Sequence, residues 1–469
     1  MFPTMFKSAY SHICVCLLIS IVLAMNYSPG STTAQEKHTP GVTIYDSKTD
    51  HPWNRLHRAL FVRTGLKGEE LGHDEIDPLL WPETKHLLTG RSHEDVLRSL
   101  DDFLKHDGSA EQIRDPLKRA ILQHDLLSVF DWSAFLYNNR PSGTTVENPA
   151  PRQALQKRLA QAIHRLTLTS ATIQALPDNY AMAIKSKAFR TAFDPDRAGQ
   201  PFLPPDLFDP EGPWVCVRGP ADFPNGPIAS AHTTFFSGRS VFLVFMRLPG
   251  GRKETLAYLD KLSNFPSPWA IRKRKPSDLS RMELLELTPD LPQFPVGTQV
   301  ALVRQMVLIN EAGELVASRL TESIQLRVYR RIRTDPHEFQ ESEVRKNQSF
   351  FEFDLRRRDL FAGKNGGLRL VGDEEQAYTS LQFITGWADP FEAPKGEQPR
   401  HLMPVMKTCS ACHSDSGIYS VNSYTQRSSE RQKSDLALWP TTLEDEQQKV
   451  LKWKQKQYDW GLLRGLTAR

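Results

Sequence analysis

Thr298-Gln299-Val300-Ala301-Leu302-Val303-Arg304-Gln305-Met306-Val307-Leu308-Ile309 runs into Asn310-Glu311-Ala312-Gly313, and Leu315-Val316-Ala317-Ser318-Arg319-Leu320-Thr321-Glu322-Ser323-Ile324-Gln325-Leu326-Arg327-Val328-Tyr329 follows. Two runs rich in β-branched and aliphatic residues flank a short turn containing glycine, the pattern of a β-hairpin. In the second arm Ile324, Leu326 and Val328 alternate with Gln325, Arg327 and Tyr329. Side chains alternate sides along a strand, so this arm is expected to have one apolar face and one wet face.

Outward from the hairpin the same logic extends. Ser240 to Arg247 is an apolar run of strand length, expected to be buried on both faces, and Trp214 to Val217 and Phe350 to Leu355 read as further strands. A short helix is expected over Lys253 to Asn264. Pro201, Pro204, Pro205, Pro210 and Pro213 end the helical pattern before them. Upstream, Leu155, Leu159, Ile163, Leu166 and Ile173 recur at helical spacing, and Ala181 to Phe193 adds a short helix. Asp115 before Pro116 reads as a helix start, with Ile121, Leu122, Leu126 and Phe130 following. Ser92 and Asp95 have capping-box spacing. At the other end Leu443, Gln447, Val450, Leu451, Tyr458 and Leu462 keep helical spacing, with Trp453 and Trp460 two turns apart. The expected class is α+β: an N-terminal α-helical region (51–200), a central, mainly antiparallel β-rich region (201–384), and a C-terminal segment (385–469) that is loop-rich and ends in a helix.

With 469 residues, more than one packed region is expected. The 59 basic and 55 acidic side chains nearly balance, so no nucleic-acid partner is implied. Local basic runs at Arg272 to Lys275, Arg330-Arg331 and Arg356 to Arg358 read as solvated faces. At the start, Lys7 with no acidic neighbour precedes the apolar run Ile13 to Met25. Small and polar residues follow, and Thr32-Thr33-Ala34 resembles a cleavage site. Residues 1–34 therefore read as a signal peptide, with retention as an anchor the competing reading, and 35–50 as a polar linker. The chain is expected to be exported, to the periplasm or the extracellular space, with no stable membrane span after cleavage. Removing the signal takes Cys14 and Cys16 with it and leaves Cys216, Cys409 and Cys412. These are too few for a disulfide scaffold. Cys216 reads as a small buried hydrophobe in a strand.

Chemistry is concentrated in Cys409-Ser410-Ala411-Cys412-His413. Two cysteines one helical turn apart can add across the two vinyl groups of a porphyrin edge, and a histidine next to the second lies beneath the ring. The motif resembles the haem-attachment site of c-type cytochromes, and the resemblance is confined to these residues. It implies one covalently bound haem c, held through Cys409 and Cys412, with His413 as the proximal iron ligand and a redox partner protein whose identity the sequence does not give. A zinc site would want four ligands, and a second Cys-x-x-Cys is absent. A thioredoxin-like pair would want a βαβ setting that the preceding segment lacks. Export also favours haem, since a free vicinal thiol pair outside the cytoplasm would tend to oxidise.

The residues after His413 contain no Met, His or Cys, so a sixth iron ligand has to come from upstream or be absent. His401, Met403 and Met406 precede the motif closely, and Met403 is favoured because a Met/His pair raises the potential of an electron carrier. His232, in Ala231-His232-Thr233-Thr234, reads first as a hydrogen-bonded loop or strand-end histidine. Tyr419, Tyr424, Trp439 and Trp460 are candidates to shield the ring. Electron transfer leads; an open distal site would instead make a haem enzyme or small-ligand sensor, and a structural metal or haem would suit a non-enzymatic extracellular binding protein. No catalytic residue is assigned.

Overall fold

The computed structural model describes residues 44–64, 68, 70–72, 84–105, 112–134, 136–137, 140–141, 148–219, 227–265, 269–271, 285–287, 290–332, 347–373, 375, 389–392, 413, 417–421 and 438–467. The expected signal peptide, the linker up to residue 43, the basic run at 272–275, and His401, Met403, Met406, Cys409, Cys412 and Tyr424 lie outside the described residues.

Helices α1 (Pro52–Phe61), α2 (Gly90–Lys105), α3 (Pro116–Ala134), α4 (Ala150–Arg165), α5 (Ser170–Gln174) and α6 (Asn179–Ser186) come first. Helix α3 begins as Asp115-Pro116 predicts: Leu117 N–H donates to Asp115 Oδ1 at 2.9 Å. Every residue from Ala120 to Ala134 is buried, so α3 is a central helix enclosed on all sides. The Ser92 cap is corrected. Helix α2 starts two residues earlier, at Gly90, and the Ser92 hydroxyl donates to the carbonyls of His86 and Thr89 instead.

The β region is built on a seven-stranded sheet made of β1 (Val215–Arg218), β2 (Ser240–Arg247), β3 (Gln299–Ile309), β4 (Leu315–Tyr329), β5 (Gln348–Leu355), β6 (Leu368–Leu370) and β7 (Trp439–Pro440), with Trp269–Ile271 and Leu285–Leu287 forming a separate short antiparallel pair. Its order is β6-β5-β4-β3-β2-β1-β7, antiparallel throughout. The fold is thus α+β. The hairpin forms as read: Gly313 N–H closes the turn onto Asn310 O at 2.9 Å. Strand β2 is buried up to Met246. In β4 the register shifts between Ala317 and Ser323. The buried Asn179 fills this irregularity, its amide donating to Thr321 O (2.9 Å) and Gly366 O (3.0 Å) while Thr321 N–H donates to its Oδ1 (2.7 Å).

One sheet face (Val241, Leu243, Phe245, Val303, Ile324, Leu326, Phe353) shares a core with the N-terminal helices. The other (Val217, Val244, Met246, Val300, Tyr329) packs with Tyr258, Leu259 and Leu262 of α8 (Arg252–Ser263). Short helix α7 (Ser230–Phe235) precedes β2; α9 (Arg357–Phe361) follows β5 and α10 (Ile418–Val421) follows His413. The single C-terminal helix becomes two, α11 (Leu443–Lys454) and α12 (Tyr458–Thr467), on the first face of the sheet. Lys454 ties them to α3: its ammonium lies 2.8 Å from Asp131 Oδ1 and 2.6 Å from Asp459 Oδ2. Among the described residues no helix is long and apolar enough to cross a membrane.

Two expectations about polar side chains reverse. Arg357, from a run read as solvated, is buried and its Nε donates to Asp125 Oδ2 at 2.8 Å. The face of β4 expected to be wet is closed: Gln325, Arg327 and Tyr329 are 4%, 3% and 0% exposed. Alternation separates the two sides of a strand but does not say what later covers each side.

Candidate functional site

The cover over that closed face brings two histidines together. Helix α7 carries His232. The chain behind it turns sharply at Gly238, whose φ of +66° suits glycine and whose absent Cβ leaves room for the Trp453 ring. This turn lays α7 beside the start of β2, with the His232 ring 5.4 Å from Phe242. His413 arrives from the far end of the chain and is buried. The two imidazole centroids are 6.1 Å apart, and their planes differ by only 4°.

His413 is firmly oriented. Its Nδ1 lies 2.7 Å from Ser420 O, a carbonyl that can only accept, so Nδ1 carries the proton and Nε2 keeps its lone pair. Ser420 O also accepts from Arg327 Nη1 at 2.9 Å, and the Ser420 hydroxyl lies 2.5 Å from Tyr329 Oη. Strand β4 therefore fixes the carbonyl that fixes the ring. Ile418 N–H donates to Gln293 Oε1 at 3.0 Å, and Gln348 Nε2 donates to His413 O at 3.4 Å. His232 makes no side-chain hydrogen bond to a described residue. A ring that carries one backbone-held N–H and offers its other nitrogen is the usual form of a histidine metal ligand.

The electrostatics keep both rings neutral. Burial, then the Arg327 guanidinium, then His232 hold His413 well below the usual histidine range. Burial, then Arg327 and Arg304, bring His232 down to about 4. Neutral imidazole is the ligating form. Arg304 and Arg327 give the floor of the site a positive field, with Arg304 in register beside Phe242. Next to them Gln325 Nε2 donates to Glu352 Oε2 at 3.0 Å, and burial with Asp354 nearby pushes the Glu352 carboxyl up.

His413 therefore lies within the site, Cys409 and Cys412 are outside the described residues, and so are His401, Met403 and Met406. His232, read first as an ordinary loop or strand-end histidine, is the residue brought to His413. Arg304 and Arg327 were missed; the signal was an arginine in the middle of an apolar strand, Val303-Arg304-Gln305-Met306. Trp460 belongs to the core of the opposite sheet face, and Trp439 pairs with Arg218 at 5.0 Å. Cys216 is buried as expected, its thiol pushed up to about 12, which leaves it unreactive.

The residues fit a haem iron in the nature of their donors. Among the described residues no group of three or more His, Cys, Asp or Glu converges as a metal site. An iron already held by four porphyrin nitrogens asks the protein only for axial ligands, and an oriented neutral imidazole is a common one. Comparison with known proteins found no matching family model, no matching curated protein and no matching solved structure.

Proposed function

We propose that the chain is an exported monohaem c-type redox protein that transfers electrons, with haem c joined to Cys409 and Cys412 and His413 as proximal ligand. The observation that carries this reading is the state of His413 itself: buried, neutral, and with Nδ1 donating to Ser420 O so that Nε2 is offered. The bound haem would supply a one-electron couple between ferrous and ferric iron. The chain's own residues orient the proximal ring through Arg327 and Ser420, and close the sheet face against water. Arg327 and Arg304 set the local field, which affects how readily charge on the iron is tolerated. The leader at residues 1–34 agrees with this chemistry, because c-type haem is attached after export, to the periplasm or extracellular space.

The test is the protein exported by cells with haem-attachment machinery. Denatured protein is expected to keep its haem absorbance through acid-organic extraction, and the Cys409→Ala/Cys412→Ala variant to lose it. A wild-type protein that yields its colour to extraction, or never acquires it, contradicts the proposal.

A further inference from the structure

An iron-bound imidazole nitrogen at about 2 Å puts its ring centroid about 3 Å from the metal, so two imidazoles on opposite sides of one ion hold their centroids about 6 Å apart. His232 and His413 are at 6.1 Å, with planes within 4°. From this geometry we propose that His232 supplies the second axial nitrogen, making the site bis-histidine rather than Met403/His413. The inference rests on the haem reading above and adds to it the ligand that sets potential and access.

Three further observations agree. The His232 side chain makes no hydrogen bond to a described residue; only its carbonyl does, accepting from Phe236 N–H at 3.0 Å, so ligation through the ring would displace none. The ring is placed by elements independent of the Cys-x-x-Cys-His segment: α7, the turn at Gly238, and Phe242 of β2. Arg327 donates to the carbonyl that orients His413, and Arg304 is in register with Phe242, against which His232 lies, so neighbouring strands of one sheet carry both rings. Two axial ligands leave no open position for a small molecule. The consequence is a carrier, not a sensor or peroxide enzyme.

Ligation by two nitrogens gives a lower potential than Met/His ligation. Parallel imidazole planes also lift the near-degeneracy of two iron d orbitals, which gives a rhombic low-spin electron paramagnetic resonance signal. The test therefore uses full-length exported holoprotein. Ferric wild type is expected to be low-spin with that rhombic signal and to show no spectral change with cyanide. His232→Ala is expected to turn high-spin and to regain the low-spin spectrum when free imidazole is added, while Met403→Ala leaves the spectrum unchanged. His232→Met, which keeps a ligand, is expected to stay low-spin with a raised potential. A wild-type spectrum that is high-spin, or that carries the methionine–iron charge-transfer band and loses it in Met403→Ala, overturns the inference while the covalent haem stands. So does a His232→Ala protein that stays low-spin. Absence of covalent haem from all preparations, wild type included, overturns the underlying reading and the inference with it.

Discussion

Exchanging Lys454 for methionine removes the ammonium that joins Asp131 and Asp459, and with it the tie between α11, α12 and α3. Lys454 is fully buried, as is Asp131 to within 1%. Burial pushes the Asp131 carboxyl up to about 8, against the pull of the Lys454 ammonium, which also lies 2.6 Å from Asp459 Oδ2. In Lys454→Met the buried Asp459 carboxylate is left without its counter-ion. Breaking a buried pair by removing one partner costs about 3–5 kcal/mol. Urea unfolding at pH 7 is therefore expected to show a loss of that size. Adding Asp459→Asn to Lys454→Met should recover most of the loss at pH 7. A loss below about 1 kcal/mol, or one that Asp459→Asn does not reduce, would refute this account of the cluster.

Asn179→Ala removes three buried hydrogen bonds at the β4 irregularity and leaves Thr321 N–H and two carbonyls without that partner, so denaturant unfolding should report a loss of about 2–3 kcal/mol; under 1 kcal/mol would dismiss the role. Gly366→Ala puts a methyl group onto the carbonyl oxygen of Asn179 at φ +58°, and should lower stability by at least about 3 kcal/mol or stop accumulation. His86 is lowered to about 4 by burial and by Arg63, so below about 6.5 the unfolded state binds the extra proton and stability falls as pH drops from 6.5 to 4. Allowing for partial exposure this is about 2 kcal/mol, and His86→Asn should flatten that limb of the urea-midpoint profile; an unchanged slope contradicts it. Asp131 acts in the opposite sense, its contribution being lost as pH rises from about 4 through 8.

The hairpin was legible because its signals are local: the residues that favour extension and the turn that reverses the chain lie side by side. So was β2, whose length and unbroken apolar run leave little choice. The C-terminal pattern ran on past its break because Val450, Leu451 and Leu463 reach one core from both helices, so spacing persisted across the turn at Gln455 to Gln457. Arg327 and Arg357 misled for a shared reason. Sequence pattern assigns charged residues to water, whereas Ser420 and Asp125, distant in the chain, give these two buried partners. Half of the candidate site follows the same division. His413 is marked by its neighbours in sequence, but His232 carries no local mark and acquires meaning only where α7 and the returning chain meet over the sheet.

The central claim is that Cys409 and Cys412 hold a haem above His413. Tryptic cleavage after Lys407 and Arg427 releases residues 408–427 as one peptide containing both cysteines and the histidine. Mass spectrometry of that peptide from exported protein is predicted to find it heavier by one haem, with fragment ions assigning thioether links to Cys409 and Cys412. A peptide of unmodified mass, or with the two cysteines joined as a disulfide, would contradict the claim.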